Sequence, residues 1–205
     1  MVEVKRIVTG AIEENCYLIY EDVTALIVDP GDDFPKIMQT IEDLQVTPVA
    51  ILLTHCHYDH IGALEETRTT YNVPVYVSSL EKDWLSNPEL NLSVHGGKPV
   101  IAQSADFEFE MMRDYTIGGL SFRVVPTPGH SPGGVSFIFE DFVITGDALF
   151  QGSVGRTDLP GGDHEALLEG IREQLFTLED EMQIYPGHGD ASTIGDEKLT
   201  NPFFN

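Results

Sequence analysis

The chain of 205 residues has few basic residues, few cysteines and no long apolar run. Its 11 Lys and Arg residues face 34 Asp and Glu residues, which gives a net charge of −23. That charge repels phosphate groups, so we expect no nucleic-acid partner and no membrane partner. Two cysteines are too few for a disulfide framework, and no stretch approaches the roughly 18 apolar residues of a membrane span.

The rest of the composition is that of a folded domain. Apolar residues make up 41% of the chain, which is enough for a sizeable core. The length predicts a single domain covering residues 1–205, present as a monomer or a small homo-oligomer. The N-terminal residues alternate as a strand and lack the apolar core of a signal peptide, so we expect a cytoplasmic protein.

A dense group of metal-ligand side chains occupies positions 55–60. It follows a buried strand candidate at 49–54 and leads into a helix candidate at 60–71, and its members are His55, His57, Asp59 and His60. Residues two apart on an extended loop project to the same side, so His55 and His57 can reach one ion. This pattern at a strand-to-helix turn favours a metal site over the alternative, a histidine-rich surface loop that binds nothing.

Three further strand ends carry a candidate ligand, and a glycine precedes each one. The periodicity predicts two β-rich halves, at 1–77 and 115–188, that face each other. In the second half, strand candidates lead to His130, Asp147 and His188. The glycines at 129, 146 and 187 allow the backbone to turn sharply and to bring these side chains towards a shared centre.

The number of ligands predicts two divalent ions. The seven side chains divide into one set of His55, His57 and His130, a second set of Asp59, His60 and His188, and Asp147 as a bridge. Each ion keeps an open position for a shared water, which is typical of catalytic sites, and two ions acidify such a water towards neutral pH. The other histidines, His95 and His164, are interpreted as solvent-exposed, and Cys56 as pointing away from the ions.

The motif at 54–60 together with His130, Asp147 and His188 resembles the metallo-β-lactamase superfamily over essentially the whole chain. The resemblance implies an α/β fold, a four-layer α/β/β/α sandwich with the metals at one edge. Aspartate at position 147, where zinc β-lactamases have cysteine, argues against a true β-lactamase. Histidine at positions 57 and 60 argues against the diiron flavoprotein branch.

Within the superfamily, residues 146–162 and the ending Asn201-Pro202-Phe203 look like those of short bacterial glyoxalase II-like hydrolases. This implies hydrolysis of a thioester of the S-lactoylglutathione type by a metal-bridging hydroxide, which Asp59 would orient as a catalytic residue. It also implies that Arg156 binds the thiol portion of the substrate, although Arg156 could instead pair with Asp158 to brace the loop. The chain lacks the helical extension that helps full-length glyoxalase II to bind glutathione, so the thiol stays open.

The ligand set leaves other functions open. A related branch, the persulfide dioxygenases, would use one iron bound by His55, His130 and Asp147. A phosphodiesterase is disfavoured by the negative charge, and a non-catalytic, metal-braced binding protein is disfavoured by the open coordination positions. Zinc is the expected metal, but iron and manganese accept the same ligands.

Overall fold

A computed structural model describes residues 1–96 and 98–205, in which the chain forms two compact units. The first unit consists of Met1–Phe109 and Thr116–Ser121, and the second of Glu110–Tyr115 and Phe122–Asn205. Two six-stranded sheets are present. The first lies wholly in the first unit, and the second lies in the second unit apart from the hairpin tip at 116–121.

The first sheet has its strands in the order of the sequence, from β1 to β6. These strands are β1 Glu3–Thr9, β2 Glu14–Glu21, β3 Thr24–Val28, β4 Thr47–Leu52, β5 Val75–Val77 and β6 Phe107–Glu108. The first three pair as antiparallel hairpins, and β3 to β6 pair in parallel. Because β3 and β4 are parallel, their carboxyl ends lie at the same edge of the sheet.

The helix α1, Phe34–Leu44, makes the crossover between the parallel strands β3 and β4. Its apolar residues recur at helical spacing, and Ile37 and Ile41 are buried in the core of the first unit. Pro35 lies in the first turn, where its missing N–H leaves no helical bond unmade. Gln45 ends the helix in a left-handed conformation.

The helix expected over residues 60–71 is interrupted. The structure has a short helix α2, Tyr58–Ile61, and a separate helix α3, Leu64–Tyr71. The break lies where the backbone meets the turn after β3, because the N–H of Ala63 donates to the carbonyl of Pro30 at 3.0 Å. A side chain at Gly62 would collide with the carbonyl oxygen of Gly31, so only glycine permits this close approach.

The second sheet has the strand order β14-β13-β10-β9-β8-β7. Its strands are β7 Arg113–Ile117, β8 Leu120–Pro126, β9 Val135–Ile138, β10 Phe142–Gly146, β13 Gln183–Pro186 and β14 Ser192–Thr193. A small hairpin of β11, Leu149–Phe150, and β12, Ser153–Val154, lies inside the glycine-rich segment. The helices are α4, His164–Gly170, which continues as a π-helical turn Ile171–Leu175, and α5, Ile194–Thr200.

Asp163 caps the start of α4, because its carboxylate accepts a hydrogen bond from the backbone N–H of Ala166 at 3.0 Å. Each unit has its own buried apolar cluster, centred on residues such as Leu18 and Ile51 in the first and Val143 and Leu167 in the second. None of the helices among the described residues has the length and apolar character needed to cross a bilayer.

The two predicted β-rich halves correspond to the two sheets, and most strand bounds agree within two residues. The remaining elements of the first unit are short, since β6 covers two residues and 3₁₀ turns lie at Lys82–Ser86 and Ser93–His95. The single domain over residues 1–205 and the facing of its halves stay predictions.

The substitution Gly31→Ala tests the close contact between the turn after β3 and the loop that carries the predicted ligands at 55–60. A Cβ atom at position 31 would collide with the carbonyl oxygen of Asp59 and the carboxylate of Glu14. We expect a loss of roughly 1–3 kcal/mol, which corresponds to a fall in Tm of roughly 3–10 °C for a chain of this size. Calorimetry measures it, and Gly170→Ala, where a Cβ meets only ordinary contacts, is the control. An unchanged Tm for Gly31→Ala contradicts the packing argument.

Candidate metal centre

The first unit places four of the predicted ligands on the loop that leaves β4. His55 and His57 are each 3% exposed, and His60 is fully buried in α2. The rings of His55 and His57 lie with their centroids 4.8 Å apart, and Nε2 of His60 lies 3.4 Å from a carboxylate oxygen of Asp59. The four side chains therefore lie together on this loop, as the sequence predicts.

A buried carboxylate, Asp29 at the end of β3, holds this loop in place. It accepts hydrogen bonds from the backbone N–H of Thr54 at 2.8 Å, from the Thr54 hydroxyl at 2.5 Å and from Nδ1 of His60 at 2.9 Å. Since the Thr54 hydroxyl proton is donated to Asp29, its oxygen accepts the Nδ1–H of His55 at 3.1 Å. One carboxylate thus sets the tautomer of two imidazoles, directly for His60 and through Thr54 for His55.

The second unit places the other three predicted ligands at the ends of β8, β10 and β13. His130 and Asp147 are nearly buried, and His188 has a side chain 27% exposed. The glycines before the first two adopt positive φ angles, 127° at Gly129 and 49° at Gly146, which other residues rarely adopt. Gly187 does not have a positive φ angle. The backbone conformation therefore favours glycine at only two of the three positions.

Asp147 lies between the two histidines of the second unit. Its Oδ2 atom is 3.4 Å from Nε2 of His130 and 3.6 Å from Nε2 of His188. Nδ1 of His130 donates to the carbonyl of Arg156 at 2.8 Å, which leaves Nε2 as the nitrogen that faces Asp147. A carboxylate oxygen that faces two imidazole nitrogens in this way suits a ligand shared between ions.

The donor sets fit divalent metal ions. Each unit brings together imidazole nitrogens and carboxylate oxygens, the ligands that zinc, iron and manganese accept. Three of the imidazoles are anchored through Nδ1 to a carboxylate, a hydroxyl or a carbonyl, the arrangement typical of metal-bound histidine. The structure therefore supports metal binding by residues of both units.

Arg156, the predicted substrate contact, makes two hydrogen bonds to Asp158, at 2.7 and 2.8 Å. Its guanidinium holds the pKa of Asp158 down to about 2. Its side chain is still 64% exposed, so a ligand can reach it. The structure thus contains the Arg156–Asp158 pair that could brace the loop. Substrate binding by Arg156 stays a prediction.

The side chains interpreted as inactive behave accordingly. Cys56 is fully buried in the apolar core of the first unit, and burial raises the pKa of its thiol well above the ordinary value. His95 is an exposed residue at the end of a 3₁₀ turn, and His164 is an exposed residue in the first turn of α4.

An open cavity of about 800 Å³ in the first unit borders one of the predicted ligands, Asp59. Its walls include Asp59, the turn at 9–12 between β1 and β2, and the segment 98–102. Ile12 and Ile101 contribute apolar surface and are 49% and 66% exposed. A cavity of this size holds a molecule larger than a lactoyl group.

Comparison with known proteins decides the family. Residues 9–188 match the sequence profile of the metallo-β-lactamase superfamily. The chain belongs to this superfamily. A probable metallo-hydrolase from Streptococcus pyogenes serotype M6 is 44% identical to it, over 100% of this chain and 91% of that protein. The hydroxyacylglutathione hydrolase GloC from Haemophilus influenzae is 38% identical, over 95% of this chain and 94% of that protein.

Solved structures of superfamily members have the same fold. The crystal structure of BLEG-1 B3 metallo-β-lactamase matches with a TM-score of 0.96 and 43% identity, and covers 99% of this chain and 100% of that one. The crystal structure of TTHA1623 in a di-iron-bound form matches with a TM-score of 0.88 and 35% identity, over 97% and 99% of the two chains. The predicted metallo-β-lactamase fold class is confirmed.

The sequence analysis did not identify two buried carboxylates, Asp29 and Glu81. Both accept hydrogen bonds from the backbone of the loop that carries the predicted ligands. Asp29 stands in an Asp-Pro-Gly sequence, which by itself is typical of a turn. Its position at the end of a strand parallel to β4 was a signal that could have identified it. Glu81 lies in a short polar stretch, and nothing in the sequence indicates its burial.

The substitution Asp29→Asn tests the anchoring of His60 and His55. The amide group places a donor where the carboxylate accepts, so one of its three hydrogen bonds must be lost. We expect zinc affinity to fall roughly 10- to 100-fold, measured by titration calorimetry of metal-free protein. Asp22→Asn, on the exposed turn between β2 and β3, is the control. Wild-type affinity in a folded Asp29→Asn protein would rule out this anchoring role.

Proposed function

We propose that this superfamily member is a metal-dependent hydrolase of thioesters of the S-lactoylglutathione type. The observation that carries the proposal is a complete set of histidine and aspartate ligands, anchored for metal binding, in a chain 38% identical to a hydroxyacylglutathione hydrolase. Aspartate at position 147 supports it further, because it belongs to the segment 146–162 that resembles short bacterial glyoxalase II-like hydrolases.

The proposed cofactor is a pair of divalent ions, with zinc as the expected metal. In this proposal His55, His57 and His130 would hold one ion, Asp59, His60 and His188 would hold the other, and Asp147 would be shared between them. The ligand chemistry of each unit and the anchoring of the imidazoles support this assignment. The di-iron-bound form of TTHA1623 supports two ions and keeps iron as an alternative to zinc.

When bound, such ions lower the pKa of a coordinated water and polarise a carbonyl group. The chemistry they would supply is hydrolysis, in which water would add to the carbonyl carbon of the thioester, the carbon–sulfur bond would break, and the products would be a carboxylic acid and a free thiol. The carboxylate of Asp59 would accept a hydrogen bond from the attacking water and orient it. Its side chain is 12% exposed, which limits competition from bulk solvent.

The cavity beside Asp59 is the proposed site for the bulk of the substrate. Asp59 belongs both to the ligand group and to the cavity wall, so a molecule in the cavity reaches the ligands. The exposed side chains of Ile12 and Ile101 favour an apolar portion of the substrate there.

A second candidate is hydrolysis of a β-lactam amide, favoured by the 43% identity to BLEG-1 B3 metallo-β-lactamase. The chemistry is similar, since water attacks a carbonyl and a carbon–nitrogen bond breaks instead. A single-iron persulfide dioxygenase is the remaining alternative, and it differs in metal content and in its need for oxygen.

Turnover assays on metal-loaded protein separate these functions. We expect free thiol from S-lactoylglutathione, two metal ions per chain, and a loss of activity of roughly 100-fold or more when a chelator removes the metal. A cephalosporin serves as the β-lactam substrate, and oxygen uptake with glutathione persulfide reports the dioxygenase. Protein that holds two ions but hydrolyses no thioester would refute the proposal.

Paired variants of the glycine-rich loop test the role of Arg156. If its guanidinium binds the anionic thiol portion, Arg156→Met raises KM for S-lactoylglutathione by about fivefold, while Asp158→Asn leaves KM unchanged because the arginine remains. Steady-state kinetics at low salt measure both variants, with a neutral thioester as the control substrate. Equal effects of the two substitutions would show that the pair only braces the loop.

A further inference from the structure

A fully buried glutamate lies behind the ligand loop of the first unit. Glu81 stands between β5 and the 3₁₀ turn Lys82–Ser86, and its exposure is 0%. Its backbone is fixed on both sides, because its N–H donates to the carbonyl of Ser78 at 3.0 Å and its carbonyl accepts the N–H of Trp84 at 2.9 Å. The carboxylate therefore projects from a rigid support.

The Glu81 carboxylate binds the loop at the residue between two metal ligands. Its Oε2 atom accepts the backbone N–H of Cys56 at 2.7 Å. Cys56 separates His55 from His57, so this hydrogen bond fixes the peptide that connects them. The short distance is typical of a charge-assisted hydrogen bond.

The backbone amide groups of the ligand loop, residues 54–58, donate hydrogen bonds to other parts of the first unit at every second residue. The N–H of Thr54 donates to Asp29 at 2.8 Å, that of Cys56 to Glu81 at 2.7 Å, and that of Tyr58 to the carbonyl of Asn91 at 2.8 Å. Glu81 supplies the middle one of these three supports, and the histidines occupy the positions between them.

The same 3₁₀ turn also contacts a ligand ring. The centroid of the Trp84 indole lies 5.8 Å from that of His57, and the two planes are inclined by 34°. The turn thus supports His57 twice, through its ring and through the backbone of the preceding residue. A buried carboxylate is costly unless its hydrogen bonds compensate, which indicates a requirement for the acceptor at this position.

We propose that Glu81 is a positioning residue that sets the spacing of His55 and His57 for metal binding. It acts through the Cys56 peptide and does not contact metal or substrate. The inference rests on the metal-binding part of the proposed function, and not on the identity of the substrate.

Two variants separate the reach of the side chain from its charge. Glu81→Asp keeps the charge but shortens the side chain by one methylene, so its carboxylate cannot hold the Cys56 N–H at the same position. Glu81→Gln keeps the length and an acceptor oxygen but loses the charge. Glu140→Gln, on the exposed turn between β9 and β10, is the matched control for charge removal.

We expect Glu81→Asp to lower zinc affinity roughly 10- to 100-fold, and Glu81→Gln and the control to stay within about threefold of wild type. Titration calorimetry of metal-free protein gives the affinity, and the d–d absorption of the cobalt(II) form reports ligand geometry independently of activity. The cobalt spectrum of Glu81→Asp should change and that of Glu81→Gln should not. Circular dichroism establishes that each variant is folded.

Wild-type zinc affinity and an unchanged cobalt spectrum in Glu81→Asp would overturn the proposal. A folded Glu81→Gln protein with weakened zinc binding would also overturn it, since the charge of the side chain rather than its length would then matter. This second test remains valid even if Glu81→Asp does not fold. Failure of the wild-type protein to bind zinc or cobalt would overturn the proposed metal function as well. Metal binding without thioester turnover would contradict only the proposed substrate.

Discussion

The hydrogen bonds of the buried Asp29 carboxylate are the interaction on which the ligand loop depends. This side chain is 2% exposed and binds the backbone and the hydroxyl of Thr54 together with the ring of His60. A buried carboxylate is tolerated only when its oxygens are hydrogen-bonded, and here the compensation comes from the groups that must be oriented. Stability of the core and orientation of the imidazoles therefore have the same physical origin.

The close packing around this carboxylate explains the local backbone. The turn after β3 meets the start of α2 so tightly that glycine is required at positions 31 and 62. Glu14, whose carboxylate is buried beside the same turn, has a pKa well above its ordinary value because burial disfavours its charge, although the nearby His60 opposes this.

Much of this arrangement could be predicted from the sequence, because strand ends and polar side chains coincide. The apolar run before His55 and the glycines before His130 and Asp147 are local signals, and each one was followed by the expected side chain at the end of a strand. The break in the helix at Gly62 and the burial of Glu81 were not predictable in this way. Both depend on contacts with residues far away in the chain, Pro30 and Cys56, which leave no trace in local periodicity.

The burial of Cys56 has a consequence for the chemical durability of the centre. An accessible thiolate flanked by two ligand histidines would be open to acyl exchange with activated esters, to mixed-disulfide formation and to oxidation. The apolar packing around this sulfur keeps it protonated and beyond the reach of solutes. A protein of the kind proposed here releases a thiol at each turnover, and its buried cysteine does not react with that thiol.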